Sequence, residues 1–351
     1  MSTHFWLRAE SKPFERRCAL PPKSARALLE AGFELTLEED PDRVFGLDDY
    51  PDCPRVPAGS WRGAPKDAVI LGLKELIGFD EDLTHRHIHF AHVYKEQHGW
   101  KEFMGRFDRG GGTLFDLEFL TQQNGRRVAA FGYWAGYVGA VLGMAHAQRL
   151  RDGGTLTLSP PYAWDSRASL EELLSDPPIA SAIVVGARGR SGTGACDALE
   201  AAGVQKVTRW DKRDTVGGGP FDVILEHELF VNCVYLADPI PPFVGREQLA
   251  RVRERALSVI ADVSCDPTSP WNPIPLYDSI TTVEAPTVRA FEAPPVDVMA
   301  IDHLPSLLPR ESSEDFGEQL LPHLLAFDSD PDGVWSRAAE VFETKLAEAR
   351  A

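Results

Sequence analysis

Residues 181–203 have the sequence SAIVVGARGRSGTGACDALEAAG, and residues 206–211 have the sequence KVTRWD. A short apolar run leads into a glycine-rich turn, an amphipathic helical pattern follows, and a second apolar run ends in Asp211. This order is typical of a βαβ unit, in which a helix joins two parallel strands. We therefore predict an α/β protein.

The glycine-rich turn predicts a dinucleotide site. Its spacing departs from a strict G-x-G-x-x-G motif, and its glycines are Gly186, Gly189, Gly192 and Gly194. Glycines let the backbone approach a pyrophosphate, and the following helix presents its amino-terminal N–H groups. Asp211 is placed to accept the adenosine-ribose hydroxyls and to repel a 2′-phosphate, which favours NAD. Lys212 and Arg213 follow directly and could accommodate a 2′-phosphate, so NADP stays an alternative cofactor. A glycine turn that serves only tight packing of strand and helix, with no ligand, is the other alternative.

The same alternation of strands and helices continues on both sides of this turn. On the amino-terminal side we predict a helix at 23–32 and strands at 33–37, 69–73, 87–93 and 112–120. On the carboxyl-terminal side we predict strands at 228–236 and 257–264 and helices at 247–256, 312–327 and 334–350. The small-residue segment 131–150 is predicted to be a buried helix that connects two domains.

The length of the chain predicts two domains, because 351 residues exceed the usual limit of one hydrophobic core. The last two helices follow the glycine-turn region, so we expect them to return to the first domain. The prediction is two Rossmann-like domains with mainly parallel sheets and an active-site cleft between them. Residues 1–130 plus 309–351 would form a substrate domain, and residues 131–308 a dinucleotide-binding domain.

Composition narrows the class of protein. The formal net charge of −17 disfavours nucleic acid or an anionic membrane as a partner, so we expect small-molecule substrates. No apolar stretch is long enough to cross a bilayer, and the first residues lack the apolar segment of a secretory signal, which favours a cytoplasmic protein. The five scattered cysteines favour reduced thiols. The oligomeric state stays open, and a monomer fits the sequence.

Two titratable residues follow predicted strands. Lys74 comes directly after VILGL, and His92 comes directly after IHFA. The carboxyl ends of parallel strands line the ligand crevice, so these side chains are predicted to converge on one site as proton carriers. Glu75 and Glu118 are predicted to stabilise their cationic forms. The alternative is that neither residue is catalytic, with Lys74 an ordinary surface lysine and His92 a hydrogen-bonded structural histidine.

Two arginines predict a substrate that carries carboxylates. Arg17 lies in FERRCAL and Arg127 lies in GRRVAAFG. A guanidinium fork binds a carboxylate through two parallel charge-assisted hydrogen bonds, which suits a dicarboxylate or an amino acid. Each arginine alone is also consistent with an ordinary surface ion pair.

The run HRHIHFAHV raises a metal hypothesis, because His85, His87 and His89 alternate onto one face of a predicted strand. We nevertheless expect no metal site. His92 would fall on the opposite face, and no cysteine or carboxylate cluster with ligand spacing lies nearby.

Longer motifs carry a family resemblance. They are LRAESKPFERRCAL (7–20), VPAGSW (56–61), ILGLKEL (70–76), FAHVYKEQHGW (90–100), GTLFDLEFL (112–120), GRRVAAFG (125–132), GGPFD (218–222), NCVYL (232–236), NPIPLY (272–277) and IDHLPSLLPRE (301–311). Together they resemble the NAD-dependent, lysine-forming saccharopine dehydrogenases of the fungal aminoadipate pathway. That family is similar in architecture to alanine dehydrogenases.

The resemblance implies the reversible oxidation of saccharopine to L-lysine and 2-oxoglutarate with NAD. It implies that Lys74 takes the secondary-amine proton and that His92 assists water addition and collapse of the carbinolamine. The implied substrate contacts are Arg17, Gln97, Arg127 and Phe131, and the supporting carboxylates are Glu15, Glu75 and Glu118. The implied dinucleotide contacts are Arg126, Gly189, Arg190, Asp211, Thr215, Tyr235, Val263, Ile301, Asp302, His303 and Leu304.

The chain departs from the family pattern in the glycine turn. Fungal members carry a cysteine there that is able to pair with the cysteine of NCVYL, whereas Ser191 leaves Cys233 without that partner. Residues 150–180 lack a family motif and FERRCAL differs locally, so a dehydrogenase that joins another amine to 2-oxoglutarate stays an alternative. An NAD-binding sensor without turnover is a second alternative, although it would not need Lys74 and His92.

Overall fold

A computed structural model describes residues 2–160, 162–236 and 238–351. The strands are β1 (His4–Leu7), β2 (Glu34–Glu38), β3 (Arg55–Val56), β4 (Val69–Leu71), β5 (Arg86–His89), β6 (Thr113–Asp116), β7 (Ser181–Val185), β8 (Lys206–Trp210), β9 (Leu229–Asn232), β10 (Val259–Asp262), β11 (Val288–Glu292) and β12 (Pro295–Met299). The α-helices are α1 (Pro22–Glu30), α2 (Trp100–Gly110), α3 (Gly132–Arg151), α4 (Arg167–Glu171), α5 (Arg190–Ala201), α6 (Asp222–Leu225), α7 (Arg246–Arg251), α8 (Pro309–Leu325) and α9 (Val334–Arg350).

The chain divides into two compact units. Unit 1 comprises Met1–Ala130 and Ser312–Ala351, and unit 2 comprises Phe131–Glu311. The last two helices therefore belong largely to the amino-terminal unit, with the first turn of α8 crossing the boundary. The domain boundary predicted after residue 308 lies close to the end of unit 2.

Unit 1 contains a six-stranded parallel sheet with the order β3-β2-β1-β4-β5-β6. From β1 the chain adds β2 and β3 toward one edge of the sheet, and from β4 it adds β5 and β6 toward the other edge. The direction of winding therefore reverses between β1 and β4. The central strand β4 is buried along its whole length, which explains why VIL has no polar alternation. In such open sheets ligands bind beyond the carboxyl ends of the strands where the winding reverses. That rule selects the segments that follow β1 and β4.

The carboxyl-terminal helix α9 completes the core of unit 1. From Trp335 onward its buried residues lie three to four positions apart, as expected for one face of a helix. The rings of Phe342 and Phe107 lie 5.6 Å apart, and those of Trp335 and Phe115 lie 5.5 Å apart. Because Phe107 belongs to α2 and Phe115 to β6, this helix packs against both elements.

Unit 2 contains the second sheet, with the order β11-β12-β10-β9-β7-β8. All neighbours are parallel except the antiparallel pair β11 and β12. Here the winding reverses between β7 and β9. The predicted glycine-rich turn follows β7, and so it lies where the winding rule places a ligand.

Helices α3 and α5 pack backbone to backbone within unit 2. A Cβ atom added at Gly136 would overlap the carbonyl oxygen of Ser191, and one added at Gly194 would overlap the carbonyl oxygen of Tyr133. Glycine is therefore required on both helices, although it is a poor helix former. Helix α3 is buried from Gly136 to Gln148, which confirms the predicted buried helix and places it inside unit 2.

Several predicted elements end earlier than expected, among them the strands predicted at 112–120 and 228–236, which stop at Asp116 and Asn232. The strand predicted at 87–93 stops at His89, and His92 has a left-handed φ of +56° that a continuing strand does not allow. The prediction that His92 lies on a strand face is therefore wrong. The helix predicted at 247–256 ends at Arg251, since the backbone of Val252 is extended. The guanidinium of Arg255 donates to the carbonyl oxygens of Leu249 and Val252 at 2.8 and 2.7 Å.

Among the described residues, no helix combines the length and apolarity needed to span a bilayer. All five cysteines are free thiols.

The contact between α3 and α5 predicts the effect of Gly136→Ala. Alanine favours a helix over glycine by roughly 1 kcal/mol, whereas overpacking costs about 1–3 kcal/mol or more, and here the overlap is with backbone that cannot rotate away. We expect the variant to unfold at lower urea concentration than the wild type. Gly154→Ala, where the nearest atom is 3.6 Å away, is the control and should change stability little. A stabilised Gly136→Ala variant would show that the helices separate easily.

Candidate active site

Lys74 lies in the loop that follows β4, at the edge of the sheet where the winding of unit 1 reverses. Its backbone is held on both sides. The carboxylate of Glu10 accepts the N–H of Lys74 at 2.9 Å and that of Leu73 at 2.7 Å, and the guanidinium of Arg8 donates to the Lys74 carbonyl oxygen. The loop carrying the predicted proton carrier is thus fixed by an ion pair that follows β1.

Arg8 and Glu10 are almost fully buried, with side-chain exposures of 1% and 5%. Burial raises the pKa of Glu10, while Arg8 and the two amide donors oppose that shift. Gly72 is part of the arrangement, because a Cβ atom there would overlap the guanidinium of Arg8. Sequence reasoning missed this pair. Its position directly after β1, the strand next to β4, is the signal that could have revealed it.

The side chain of Lys74 is only 8% exposed, and burial lowers the pKa of its amine. The positive charge of Arg17 lowers the pKa further, whereas the carboxylates of Glu15 and Glu75 act in the opposite direction. A lysine in such surroundings has a larger neutral fraction near neutral pH than a lysine in water, and it can therefore accept a proton.

Arg17 and Glu15 form a buried forked ion pair. The guanidinium donates from Nε at 2.8 Å to one carboxylate oxygen and from Nη2 at 2.6 Å to the other. Burial tends to raise the pKa of Glu15, but Arg17 overcomes this and the net shift is downward. A predicted substrate contact and a predicted supporting carboxylate are thus partners of each other, and both act on the charge of Lys74.

His92 is held between two carboxylates. Its Nδ1 lies 3.2 Å from Glu118 Oε2, its Nε2 lies 3.6 Å from Glu75 Oε1, and its ring stacks on Phe90 at 5.9 Å. Glu75 is the sequence neighbour of Lys74. The structure therefore brings Lys74, His92 and both predicted carboxylates together in unit 1.

Glu118 is the more strongly perturbed of the two carboxylates. Its hydrogen bond from His92 is the largest cause, and together with Lys95 at 2.7 Å it lowers the pKa of Glu118 to about 2. The carboxylate of Asp116 accepts the Glu118 backbone N–H at 2.9 Å, and burial raises the pKa of Asp116 to about 6. Glu118 is thus a fixed negative charge at one ring nitrogen of His92. Lys95 was not predicted, and its exposed position in FAHVYKEQ gave no signal.

The remaining predicted residues of unit 1 lie in two exposed turns. Gln97 precedes α2, and its carbonyl accepts the Trp100 N–H at 3.1 Å. Within the described ranges, no hydrogen bond joins Gln97 to Lys74 or His92. Arg126 and Arg127 lie in a turn closed by the bridge between Thr121 and Arg127.

The last predicted substrate contact, Phe131, is the residue before α3 and belongs to unit 2.

The glycine turn of unit 2 joins the end of β7 to the start of α5. The N–H groups of Gly186 and Ala187 both donate to the Trp210 carbonyl oxygen, at 2.9 and 3.0 Å, which ties the turn to the end of β8. A Cβ atom at Gly192 would overlap the carbonyl oxygen of Gly186. Gly189 caps the helix in an extended conformation. This is a tight turn that exposes a helix amino terminus, the geometry that suits a pyrophosphate.

Asp211 follows β8 directly and faces the same turn. An open groove of about 650 Å³ lies there, lined by Gly186, Arg188, Gly189, Asp211, Lys212, Arg213 and Val216. The carboxylate of Asp211 accepts the Arg213 N–H at 2.7 Å and lies 3.1 Å from Nε of Arg188. Thr215 closes the loop, with its hydroxyl 3.5 Å from the Asp211 carbonyl oxygen. Sequence reasoning missed Arg188, although it stands inside the glycine turn.

Arg190 is the first residue of α5. The other predicted dinucleotide contacts of unit 2 follow the ends of three neighbouring strands. Tyr235 follows β9 and is 67% exposed, Val263 follows β10, and residues 301–304 follow β12. Ile301 and Leu304 are buried, whereas Asp302 and His303 form an exposed pair at 2.8 Å. These residues share one edge of the sheet with the glycine turn. Arg126 alone among the predicted dinucleotide contacts belongs to unit 1.

A buried polar network fixes two of these loops. Asp262, at the end of β10, accepts hydrogen bonds from the Asn232 amide at 3.0 Å, the Ser264 hydroxyl at 2.7 Å and the Tyr277 hydroxyl at 2.6 Å. Burial and the Asp262 carboxylate raise the pKa of Tyr277. Because Asn232 ends β9, the network ties the loops after β9 and β10 together.

The histidine-rich strand face packs against aromatic rings. The imidazole of His87 lies 5.2 Å from Trp61 and 5.6 Å from Phe107, and the rings of His87 and His89 lie 6.2 Å apart. Burial lowers the pKa of His89 to about 3, and it also holds the pKa of His87 well below its ordinary value. Among the described residues, no group of three His, Cys, Asp or Glu side chains is arranged to hold a metal ion.

Known proteins resemble this chain over nearly its whole length. Residues 6–138 match the family model of the alanine dehydrogenase/PNT N-terminal domain. A Schizosaccharomyces pombe protein named saccharopine dehydrogenase (NAD+, L-lysine-forming) is 47% identical over 368 residues, covering 99% of each chain. A protein of Emericella nidulans with the same name is 46% identical over 371 residues, covering 99% of this chain and 98% of that one. The chain belongs to this family.

Solved structures agree with the family assignment at the level of the fold. An L-alanine dehydrogenase matches with a TM-score of 0.65 and 16% identity, covering 97% of this chain and 94% of that one. A transhydrogenase from Sinorhizobium meliloti matches with a TM-score of 0.59 and 14% identity, covering 92% and 94%. These likenesses confirm the predicted α/β class with two mainly parallel sheets.

The clamp on Lys74 predicts that Glu10→Ala is strongly destabilising. The substitution leaves Arg8 buried without its counter-charge and removes the acceptor of two amide groups, which together cost about 3–5 kcal/mol. The free energy of unfolding from urea titration measures the loss. Glu318→Ala, which breaks the exposed pair with Lys23, is the matched control and should leave the free energy of unfolding nearly unchanged. Equal losses in the two variants would contradict the clamp.

Proposed function

We propose that the chain catalyses the reversible, NAD-dependent conversion of saccharopine to L-lysine and 2-oxoglutarate. The observation that carries this proposal is the buried amine of Lys74, whose sequence neighbour Glu75 lies 3.6 Å from His92 of the His92–Glu118 pair. The reaction needs a base at a secondary amine and then an acid and base at water, and these residues can supply both. The names of the relatives in Schizosaccharomyces pombe and Emericella nidulans support the same substrate and cofactor.

The dinucleotide site proposed in unit 2 fits NAD. The overlap at Gly192 shows how closely the backbone turns, and the start of α5 offers N–H groups to phosphate. Asp211 would accept ribose hydroxyls, and the loops after β9, β10 and β12 would hold the rest of the molecule through Tyr235, Val263 and residues 301–304. When bound, NAD supplies the hydride acceptor for oxidation of the carbon–nitrogen bond.

Lys74 is proposed to take the proton of the substrate's secondary amine as the carbon–nitrogen bond is oxidised. Burial favours its neutral form, which is the form that accepts a proton. Its backbone is fixed by Arg8 and Glu10, so the amine is presented from a rigid loop. A base that is already held in place loses less conformational entropy on the way to the transition state than a base on a mobile segment.

His92 is proposed to act on water. Adding water to the imine requires a group that removes a proton from the oxygen, and collapse of the carbinolamine requires the same group to return a proton to the departing amine. Glu118 at Nδ1 orients the imidazole and leaves Nε2 on the side of Glu75. The two carboxylates would stabilise the imidazolium that forms between the two steps.

The carboxylates of the substrate are proposed to bind Arg17 and Arg127, with Gln97 and Phe131 as further contacts. Arg126 is proposed as a dinucleotide contact. Unit 1 would serve as the substrate domain and unit 2 as the dinucleotide domain. A cytoplasmic location and a monomeric state are part of this proposal.

The reductive direction tests the proposal. With NADH, 2-oxoglutarate and L-lysine, we expect NADH to be consumed and saccharopine to be formed, and mass spectrometry identifies the product. A panel of other amines, including ornithine and alanine, runs in parallel. Turnover with another amine but not with lysine would show that the proposed substrate is wrong, whereas the proposed class of reaction would stand.

The proposed roles predict that Lys74→Met and His92→Gln each slow this reaction by roughly 10²–10⁴-fold. Binding of ADP-ribose should be unchanged in both variants, because neither residue is among the proposed dinucleotide contacts. Lys66→Met, an exposed lysine of unit 1, is the matched control and should keep the wild-type rate. Wild-type rates in both active-site variants would rule out the mechanism.

The pH dependence of saccharopine oxidation provides a further prediction. The rate should fall on the acid side as Lys74 becomes protonated, at a pH below the ordinary lysine value of 10.5. The carboxylate of Glu15 raises the pKa of Lys74, and it also balances Arg17, which lowers that pKa. Glu15→Gln should therefore move the acid limb of the kcat/KM profile to lower pH. Glu30→Gln, at the exposed end of α1, should leave the profile unchanged, and a shift of the Glu15 variant to higher pH would contradict the assignment.

A further inference from the structure

The glycine turn carries a cation that faces the proposed ribose carboxylate. The N–H groups of Gly186 and Ala187 bind the Trp210 carbonyl oxygen, so the turn lies against the residue that precedes Asp211. Arg188 extends from this turn, and its Nε lies 3.1 Å from Asp211 Oδ2. Its side chain is 80% exposed and can be reoriented, whereas Asp211 is only 19% exposed.

The carboxylate of Asp211 is engaged at both oxygens. Oδ1 accepts the Arg213 N–H at 2.7 Å, and Oδ2 faces the guanidinium of Arg188. A lone carboxylate at the end of the second strand excludes NADP because it repels the 2′-phosphate. Here a guanidinium offsets that charge, so the repulsion is reduced.

The groove in front of Asp211 is cationic in a protein that is otherwise strongly acidic. Of the described residues, Arg188, Lys212 and Arg213 line it together with Asp211. A second carboxylate, Asp214, lies next to the groove and accepts the Asp211 N–H at 2.7 Å. The chain as a whole carries a net charge of −17. Because exposed charges are screened over about 8 Å at physiological salt, the local excess of three cations over two carboxylates decides what an anion experiences in the groove.

We propose that this groove accepts the 2′-phosphate of NADP, with Arg188 as the residue that decides the specificity, so that the chain binds NADP as well as NAD. The inference rests on the dinucleotide site of the proposed function. With NAD, Arg188 stays beside Asp211 and the carboxylate accepts the ribose hydroxyl. With NADP, Arg188 turns to the phosphate and donates a forked pair of charge-assisted hydrogen bonds, while Lys212 or Arg213 adds positive charge.

Calorimetric titration of the full chain with ADP-ribose and with 2′-phospho-ADP-ribose tests the inference without turnover. We expect both compounds to bind the wild type. Arg188→Leu should weaken 2′-phospho-ADP-ribose by about 10-fold or more, the worth of one hydrogen bond to a charged group, and leave ADP-ribose nearly unchanged. Lys206→Met removes an equal charge at the opposite end of β8 and should leave the preference between the two compounds unaltered.

The outcomes separate the two proposals. If neither compound binds, the dinucleotide site of the proposed function is wrong. If ADP-ribose binds and its 2′-phosphate derivative does not, the site stands and acceptance of NADP is wrong. If the preference is the same in the wild type and Arg188→Leu, the role of Arg188 is wrong. Rising salt should weaken the phosphorylated compound more steeply, because its extra contacts are between charges.

Discussion

In unit 2, two helices touch through their backbones, and the position of the glycine turn depends on that contact. Gly136 on α3 leaves room for the Ser191 carbonyl, and Gly194 on α5 leaves room for the Tyr133 carbonyl. Helix α5 is therefore anchored at its first turn, the part that offers N–H groups to phosphate. Since α3 also packs against β9 and β10, the helix amino terminus is fixed relative to the whole sheet edge.

A different solution fixes the site of unit 1, where a polar contact replaces the glycine contact. Arg8 and Glu10 extend from the end of β1 and hold the backbone that follows β4, across the point where the winding of the sheet reverses. A buried ion pair adds little net stability over well-packed apolar residues, because desolvation offsets its attraction. Its contribution here is to position the loop that carries Lys74, since both charged side chains form hydrogen bonds with backbone atoms of that loop.

The sequence predicted most of the strands, the helices at both ends and the clustering of His92 with Glu75 and Glu118, because these follow from local apolar patterns and from the rule about strand ends. It did not predict β1, β3, β11 or β12. It did not predict that the strand before His92 stops at His89, since Phe90 and Ala91 continue the apolar run while the backbone has already left the sheet. Nor did it predict the clamp on Lys74 or the pair between Arg188 and Asp211. These contacts join residues far apart in the chain, and a single sequence carries no trace of their pairing.

The protein surrounds Lys74 and His92, the two proposed proton carriers, in different ways, and the difference follows from their chemistry. An amine in water holds its proton far above neutral pH, so a lysine becomes a base only if its charged form is penalised, and burial of Lys74 does this. An imidazole exchanges protons near neutral pH without such a penalty, so what it needs is orientation and a counter-charge. Glu118 provides both from one side and is itself held ionised by His92 and Lys95. Burying His92 in the way that Lys74 is buried would penalise its protonated form, and the same ring could then no longer return a proton to the departing amine.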